Sequence, residues 1–553
     1  MKRSKDWSPT QANLLPPSPM DWLKEDHLVY FLLDMLPTLD LGEIKGVIQA
    51  KDRRGTRPYS ARMMVGLLLY GYCVGKVSSR KLEKATYEDV AFRVLCAGNH
   101  PDHSAISLFR KTHLNALGGL FHQILQLCRE AGLVKLGHVA LDGTKLKANA
   151  SRHKANSYAG LERSEEKLIT EIEELLRQAE EVDASEDERY GKDCTGDELP
   201  KELRRRSDRL RVIQKAKATL EADAALTKAL EKKKQAELSA AKADQQGACD
   251  EPARARAEKA TALANEAAHE AIEQAARVAE TAAKRALELK NEASDRDGKA
   301  KATLAARASE KAGRALAATE ALLCDDEDSD DDDGGCGAAI DRDITMPDRR
   351  IKPDADGYRV AKAQRNFTDA DSHLMKDGNG YSQAFNCQAA VDEEHQIIVA
   401  AGLSNQANDS QHLIPMLNAV VENCGASPTT FTADAGYSSE ENLEHCELIG
   451  TDAYIPSRRK PRSKEGTPEP AQASGSRRPR GEAMDAKIAT DEGRAKYRRR
   501  KFVGEAPFGN IKQARGFRQM LLRGIDQVRH EWSLICAGHN LLKLFRAKVA
   551  KVT

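Results

Sequence analysis

Three acidic residues stand out by their type and setting. Asp142 follows the apolar run Val139-Ala140-Leu141, and Asp434 follows Phe431-Thr432-Ala433. Both runs favour strand, and each acid is followed within two residues by a glycine, Gly143 or Gly436. The pattern predicts two carboxylates at the C-terminal ends of strands, the edge where open sheets gather ligands. The third acid, Glu505, lies in a basic segment, where residues 493–529 carry 11 Lys/Arg against Glu505 and Asp526, a local net of +9. Two Asp and one Glu can hold two hard divalent cations about 3.5–4 Å apart, the arrangement that activates water and stabilises a leaving alkoxide in phosphodiester chemistry.

Each of these residues also has a plainer reading. A strand-end Asp often forms a turn or caps a helix, and a surface Glu often faces solvent or pairs with a cation. The order Asp, Asp, Glu on a scaffold of strands and helices with basic flanks favours the chemical reading. Asp369 and Asp371 are two further close carboxylates, read as turn-forming or supporting rather than as direct ligands. His530, Cys536 and His539 could suggest zinc. On a helix, however, 536 and 539 share a face that 530 does not, which favours packing.

The elements that must position these groups follow from the hydrophobic pattern. Residues 1–135 read as a helical domain, with apolar runs such as Val29-Tyr30-Phe31-Leu32-Leu33 and basic turns around Arg80 and Arg110. Short helices with Arg/Lys on the later members suit a helix-turn-helix-like DNA binder, or else an ordinary helical domain with a solvated face. Residues 136–158 hold the first strand, ending at the Asp142-Gly143 turn signal. Residues 159–336 are rich in Ala, Glu, Lys and Arg, which predicts long helices or a coiled coil, closed by the acidic run Asp325–Asp333.

Strands return over 337–457, with a β, β, α, β, α, β order in which Asn408-Asp409-Ser410 is expected to cap a helix through Leu413–Val421. Residues 458–480 hold eight Lys/Arg against two Glu, among Pro, Gly and Ser. We read 458–495 as a basic flexible linker and 496–553 as a basic helical region.

The whole chain sets outer bounds. It has 553 residues, of which 40% are hydrophobic, 31% charged and only 5% aromatic, with a net charge of +1. No run reaches the roughly 20 apolar residues of a membrane span. The N-terminus lacks the apolar stretch of a secretory signal, and the 11 cysteines form no CxxC pair. A soluble cytoplasmic protein is expected, without zinc ribbon or disulfide framework.

Several blocks together resemble a known family. They are Leu141-Asp142-Gly143-Thr144-Lys145-Leu146-Lys147-Ala148-Asn149-Ala150-Ser151, Asn366-Phe367-Thr368-Asp369-Ala370-Asp371-Ser372, Thr432-Ala433-Asp434-Ala435-Gly436-Tyr437 and Glu505-Ala506-Pro507-Phe508-Gly509-Asn510-Ile511-Lys512. In this order they resemble the DDE transposases of bacterial insertion sequences, in the IS4/IS5-like group and its IS1182 type.

The resemblance implies an α/β chain with an RNase H-like core, an N-terminal helical DNA-binding domain and a long helical insertion. It makes Asp142, Asp434 and Glu505 the catalytic triad, holding Mg²⁺ or Mn²⁺. It implies binding to double-stranded DNA, both element ends and target, in a nucleoid-associated homodimer or higher assembly. Lys501, Lys512, Arg515, Arg518, Arg80 and Arg110 are the expected phosphate contacts. The related signature Tyr-x2-Arg-x3-Glu-x6-Lys is partly met: Glu505 and Lys512 fit, but Lys501 stands where Arg is expected and Arg498 where Tyr is expected. Tyr497 and Arg500 lie one residue early. The alternative function is a DNA-binding protein without catalysis, derived from a transposase.

Overall fold

Val139, Ala140 and Leu141 are fully buried and open strand β1, His138–Lys147, which runs straight past the Asp142-Gly143 pair expected to turn the chain. The reason is its antiparallel partner β5, Gly380–Asp392, which offers a continuous ladder from Val139↔Asp392 to Lys147↔Ala384. Pairing with β5 thus lets the Gly143-Thr144-Lys145 stretch continue as strand without turning. On its other side β1 meets β7, Thr430–Thr432, in parallel, but only over His138–Ala140. Asp142 is therefore in mid-strand, just beyond the end of the parallel ladder.

Strand β8, Asp452–Tyr454, lies parallel to β7, while β4, His373–Asp377, and β6, Ile398–Ser404, share the far edge of β5. The sheet order β4-β5-β1-β7-β8, with β6 also on β5, joins antiparallel strands to the three parallel strands β1, β7 and β8. Such a mixed sheet with flanking helices is consistent with an RNase H-like core.

The computed structural model describes residues 18–50, 58–171, 174, parts of 209–220, 346–347, 364–377, 380–457 and 479–552. They belong to two units: Met1–Arg152 with Asp341–Asp348 and Thr368–Thr553, and His153–Ile340 with Arg349–Phe367. In the first unit the N-terminal residues form helices α1 (Leu28–Met35), α2 (Gly42–Gln49), α3 (Ala61–Val74), α4 (Ser79–Glu88), α5 (Val90–Leu95), α6 (His103–Thr112) and α7 (Leu114–Glu130). Helix α8 (Leu413–Cys424) lies between β6 and β7 and α9 (Glu440–Leu448) between β7 and β8, and after β8 come α10 (Pro479–Ala489), α11 (Asp491–Gly509) and α12 (Ile525–Val552).

Helix α12 packs against α3, α7 and β6, so the N-terminal helices and the sheet share one hydrophobic core. Two polar clasps fix this packing: Asn540 exchanges hydrogen bonds with the Ile398 backbone at 2.8 and 2.9 Å, and Arg515 donates to the Tyr72 and Ile535 carbonyls. The N-terminal helices are thus part of the sheet's own unit rather than a body of their own.

In the second unit, β2 (Ala155–Ser157) pairs with β3 (Gln364–Asn366). Residues 158–171 are helical, and Tyr158, Leu161 and Leu168 pack on Ile213, Ala216 and Leu220. Most of the predicted 159–336 insertion, its acidic run and residues 458–478 lie outside the described residues. The linker reading fails for 479–495, which are almost wholly helical. Arg480 bridges Glu444 and Glu447 on α9 at 3.0 and 3.1 Å, and the Thr490 side chain caps α11, so contacts along this segment override its Pro/Gly flank.

Candidate active site

Register alone brings the first two acids together. Ala140 pairs with Thr432 on the parallel strands, so Asp142 and Asp434 each follow by two residues on neighbouring chains. Asp434 begins a short 3-10 turn, Ala435–Tyr437, and its Oδ1 accepts the Gly436 N–H at 2.7 Å. Helix α11 carries the third acid to this place. Gly504 makes that approach possible, because a Cβ there would sit 3.2 Å from the Asp142 Cβ.

One guanidinium spans the two acids nearest α11. Arg500 lies 3.9 Å from Asp142 and 3.9 Å from Glu505, too far for hydrogen bonds, with its Nε buried and unpartnered. Arg500 is 11% exposed and Asp142 16%, whereas Glu505 is 57% exposed. Burial pushes the Asp142 carboxyl up to about 6; Arg500 and the Gly143 N–H pull it down, while Asp434 and Glu505 push it further up. Asp142 and Glu505 thus face one guanidinium, and Asp434 stands near enough to Asp142 to raise its carboxyl further.

Such an all-carboxylate donor set fits a hard divalent cation, and the surplus of negative charge fits it too. Among the described residues no three acids stand close enough to enclose an ion as they are. Glu505, on an exposed helix face, is the one with room to move. Just beyond it Pro507 cannot donate to the helix ladder, and the chain passes into a π turn, Asn510–Ala514. There Lys512 donates to the Lys145 carbonyl of β1 at 3.1 Å, which fixes the end of α11 to the strand that carries Asp142.

Of the expected phosphate contacts, Lys512 is the one held on the Lys145 carbonyl, and the other five divide into two groups. Lys501, Arg518 and Arg80 are exposed, with Arg518 bonded to Gln513. Arg515 and Arg110 are corrections: both are buried and serve carbonyls of their own chain, Arg515 those of Tyr72 and Ile535, Arg110 that of Val77 at 2.6 Å. Burial brings Arg515 down to about 10. Neither can reach DNA.

The other clusters take the plainer readings. Asp369 and Asp371 accept the N–H groups of Gly524 and Ile525 at the start of α12. Cys536 is fully buried, and His539 is nearly so, with Nε2 2.9 Å from the Gln396 carbonyl. The other nearby acids are occupied elsewhere: Glu531 accepts the Leu521 and Leu522 N–H groups, and Glu492 pairs with Lys496.

Two residues escaped the sequence reading. Arg500, one position before the signature's Arg, was passed over for Lys501; helical phase puts 500 and not 501 against β1. Asp409 was read as a helix cap, yet α8 has no side-chain cap, and the Asp409 carboxylate instead accepts from Asn386 at 2.6 Å and Gln388 at 3.0 Å. Burial works against that charge, but His412 and Asn386 as donors and the nearby Lys145 outweigh it and hold the carboxyl below its usual range.

Comparison with known families gives two matches. A family described as Transposase domain (DUF772) matches residues 17–112, and one described as Transposase DDE domain matches residues 463–545. The chain belongs with the DDE transposases of insertion sequences. The second match covers Glu505, Arg500 and Lys512 of this transposase; Asp142 and Asp434 lie outside both. Neither the curated proteins nor the solved structures gave a match. No helix among the described residues of the transposase is long and apolar enough to cross a membrane.

Proposed function

We propose that this transposase binds the terminal inverted repeats of its own element, cleaves DNA there and joins the freed end to target DNA. The observation that supports the reading is Arg500 of the crossing helix between Asp142 and Glu505, with Asp434 on the chain that continues the neighbouring parallel strand. The reaction is two in-line displacements at phosphorus: water opens a phosphodiester and leaves a 3′-OH, and that hydroxyl then attacks a target phosphodiester. Asp142, Asp434 and Glu505 would hold Mg²⁺ or Mn²⁺, which when bound lowers the pKa of the attacking oxygen and stabilises the leaving one.

The chain's own residues do the rest. Lys512 fixes the end of α11 to β1, and Gly504 keeps the helix close enough for Glu505 to face Asp142. Arg500 offsets the crowded carboxylates and is a cation at the place where a phosphate would enter. Exposed Lys501, Arg518 and Arg80 supply phosphate contacts, which position a duplex without reading its sequence. Acting on two element ends implies a homodimer or higher assembly on DNA, in the cytoplasm at the nucleoid.

The test is a strand-transfer assay with labelled element-end duplexes, target DNA and Mg²⁺ or Mn²⁺. Joined products that vanish with EDTA support the reading. DNA binding without any cleavage in either metal overturns it in favour of a binding protein derived from a transposase.

A further inference from the structure

Asp409 stands behind the crevice, on the opposite side of the sheet from Asp142. Its Oδ1 accepts from Asn386 and Gln388, two fully buried side chains of β5, and its Oδ2 lies 3.8 Å from Lys145. Gln388 and Asn386 pair with Gly143 and Lys145 in the ladder, so they point to the face away from Asp142. Gly143 leaves room for this: a Cβ there would lie 2.4 Å from the Gln388 amide nitrogen.

The same Gln388 amide reaches the turn that carries Asp434. Its Nε2 donates to Asp409 at 3.0 Å and to the Asn386 Oδ1 at 3.1 Å, which leaves Oε1 to accept from the hydroxyl of buried Tyr437, the last residue of the Ala435–Tyr437 turn. A second link runs beside it, where Asn442 donates to the carbonyls of both Ser410 and Tyr437, at 2.7 and 2.6 Å. Gly436 sits between the two acids: a Cβ there would be 2.8 Å from Asp434 Oδ1 and 3.5 Å from Asp409 Oδ2. The Asp434 carboxylate accepts only the Gly436 N–H among the hydrogen bonds described, so its aim depends on how that turn is seated.

We infer that Asp409 is a positioning residue for the metal-binding acids: through Gln388 and Tyr437 it sets the orientation of the Asp434 turn, and thereby the affinity of the site for a divalent cation. The inference rests on the proposed role of Asp434. Partners that orient a ligand residue typically contribute 10–100-fold in metal affinity. Asp409→Ala removes one of the two acceptors of the Gln388 amide and leaves only the Asn386 Oδ1, Tyr437→Phe removes the far end of the relay, and Asp409→Asn keeps one acceptor oxygen.

The experiment is Mn²⁺ binding to the full-length folded protein without DNA, read from the free-Mn²⁺ electron paramagnetic resonance signal, alongside thermal unfolding and cleavage. Mn²⁺ affinity should fall about tenfold or more in Asp409→Ala, less in Asp409→Asn, and in the same direction in Tyr437→Phe. The loss should appear in protein that remains folded, and cleavage should recover as Mn²⁺ is raised. Unchanged Mn²⁺ affinity in folded Asp409→Ala and Tyr437→Phe overturns the inference. So does a loss of cleavage that follows only the loss of folded protein. A wild type that binds Mn²⁺ and never cuts would defeat the functional reading alone, and one that binds no Mn²⁺ would defeat both.

Discussion

Asp142 carries a charge in a place that disfavours it. Its folded-state carboxyl is pushed up to about 6 by burial first, so between about pH 4 and 6 the folded protein holds a proton that the unfolded chain has released. Stability conferred by that proton is present at low pH and lost as pH rises through about 6. Asp142→Asn, which needs no ionisation, should therefore stabilise the metal-free protein by on the order of 1–3 kcal/mol at pH 8 and by nothing near pH 4. Thermal unfolding in EDTA across that range checks it; a gain that grows toward low pH would contradict the assignment. Arg515 and Lys501 make a second contrast. Arg515→Ala strands the Tyr72 and Ile535 carbonyls and should cost about 2–4 kcal/mol while leaving the salt dependence of DNA binding unchanged. Lys501→Ala should leave stability alone and lower the salt slope by about one unit. Chemical denaturation and salt-titrated gel shifts on both variants separate the two.

The crossing of α11 over β1 is the element that assembles the crevice, and at Gly504 a Cβ would lie only 3.2 Å from the Asp142 Cβ. Gly504→Val would need atoms where the Asp142 Cβ already stands, so helix and strand must separate. A destabilisation of about 1–3 kcal/mol is expected, with cleavage down tenfold or more and gel-shift affinity retained; wild-type cleavage by this variant would show that the crossing does not matter. Asp142 and Asp434 stand out in the sequence because apolar runs ending in Asp-Gly or Asp-Ala-Gly signal strand ends, and the parallel register does bring the two runs side by side. The extension of β1 past Gly143 was not legible, because it is set by the length of β5, a partner more than 200 residues away in sequence. Arg500 was hidden by a one-residue offset that only helical phase against β1 resolves. Asp409 was hidden because Asn-Asp-Ser before an apolar run is a strong local cap signal, and tertiary amide donors from β5 outcompeted it. Arg110 and Arg515 misled for the opposite reason: a basic residue in a basic segment gives no local sign that it is buried.

At the scale of the molecule, the N-terminal helices and the sheet stand or fall together. Tyr72 stacks on Phe517 at 5.8 Å, Arg515 bonds the Tyr72 carbonyl, and α7 lies along α12, so removing residues 1–135 would expose a face of the core. Residues 136–553 alone should lose the cooperative unfolding transition of the full chain, which circular dichroism melts would show; a sharp, unchanged transition would mean that the sheet is self-sufficient. The central claim, that Asp142, Asp434 and Glu505 form one metal-dependent cleavage site, is tested most directly by Glu505→Gln. Gln keeps the shape of Glu505 without its charge, on an exposed helix face where the fold does not depend on it. The measurement is cleavage of element-end DNA in Mg²⁺ together with a gel shift on the same preparation. The account predicts that cleavage is abolished while binding is equal or tighter, since one negative charge leaves a basic surface. Glu505→Gln protein that cuts at the wild-type rate would contradict it.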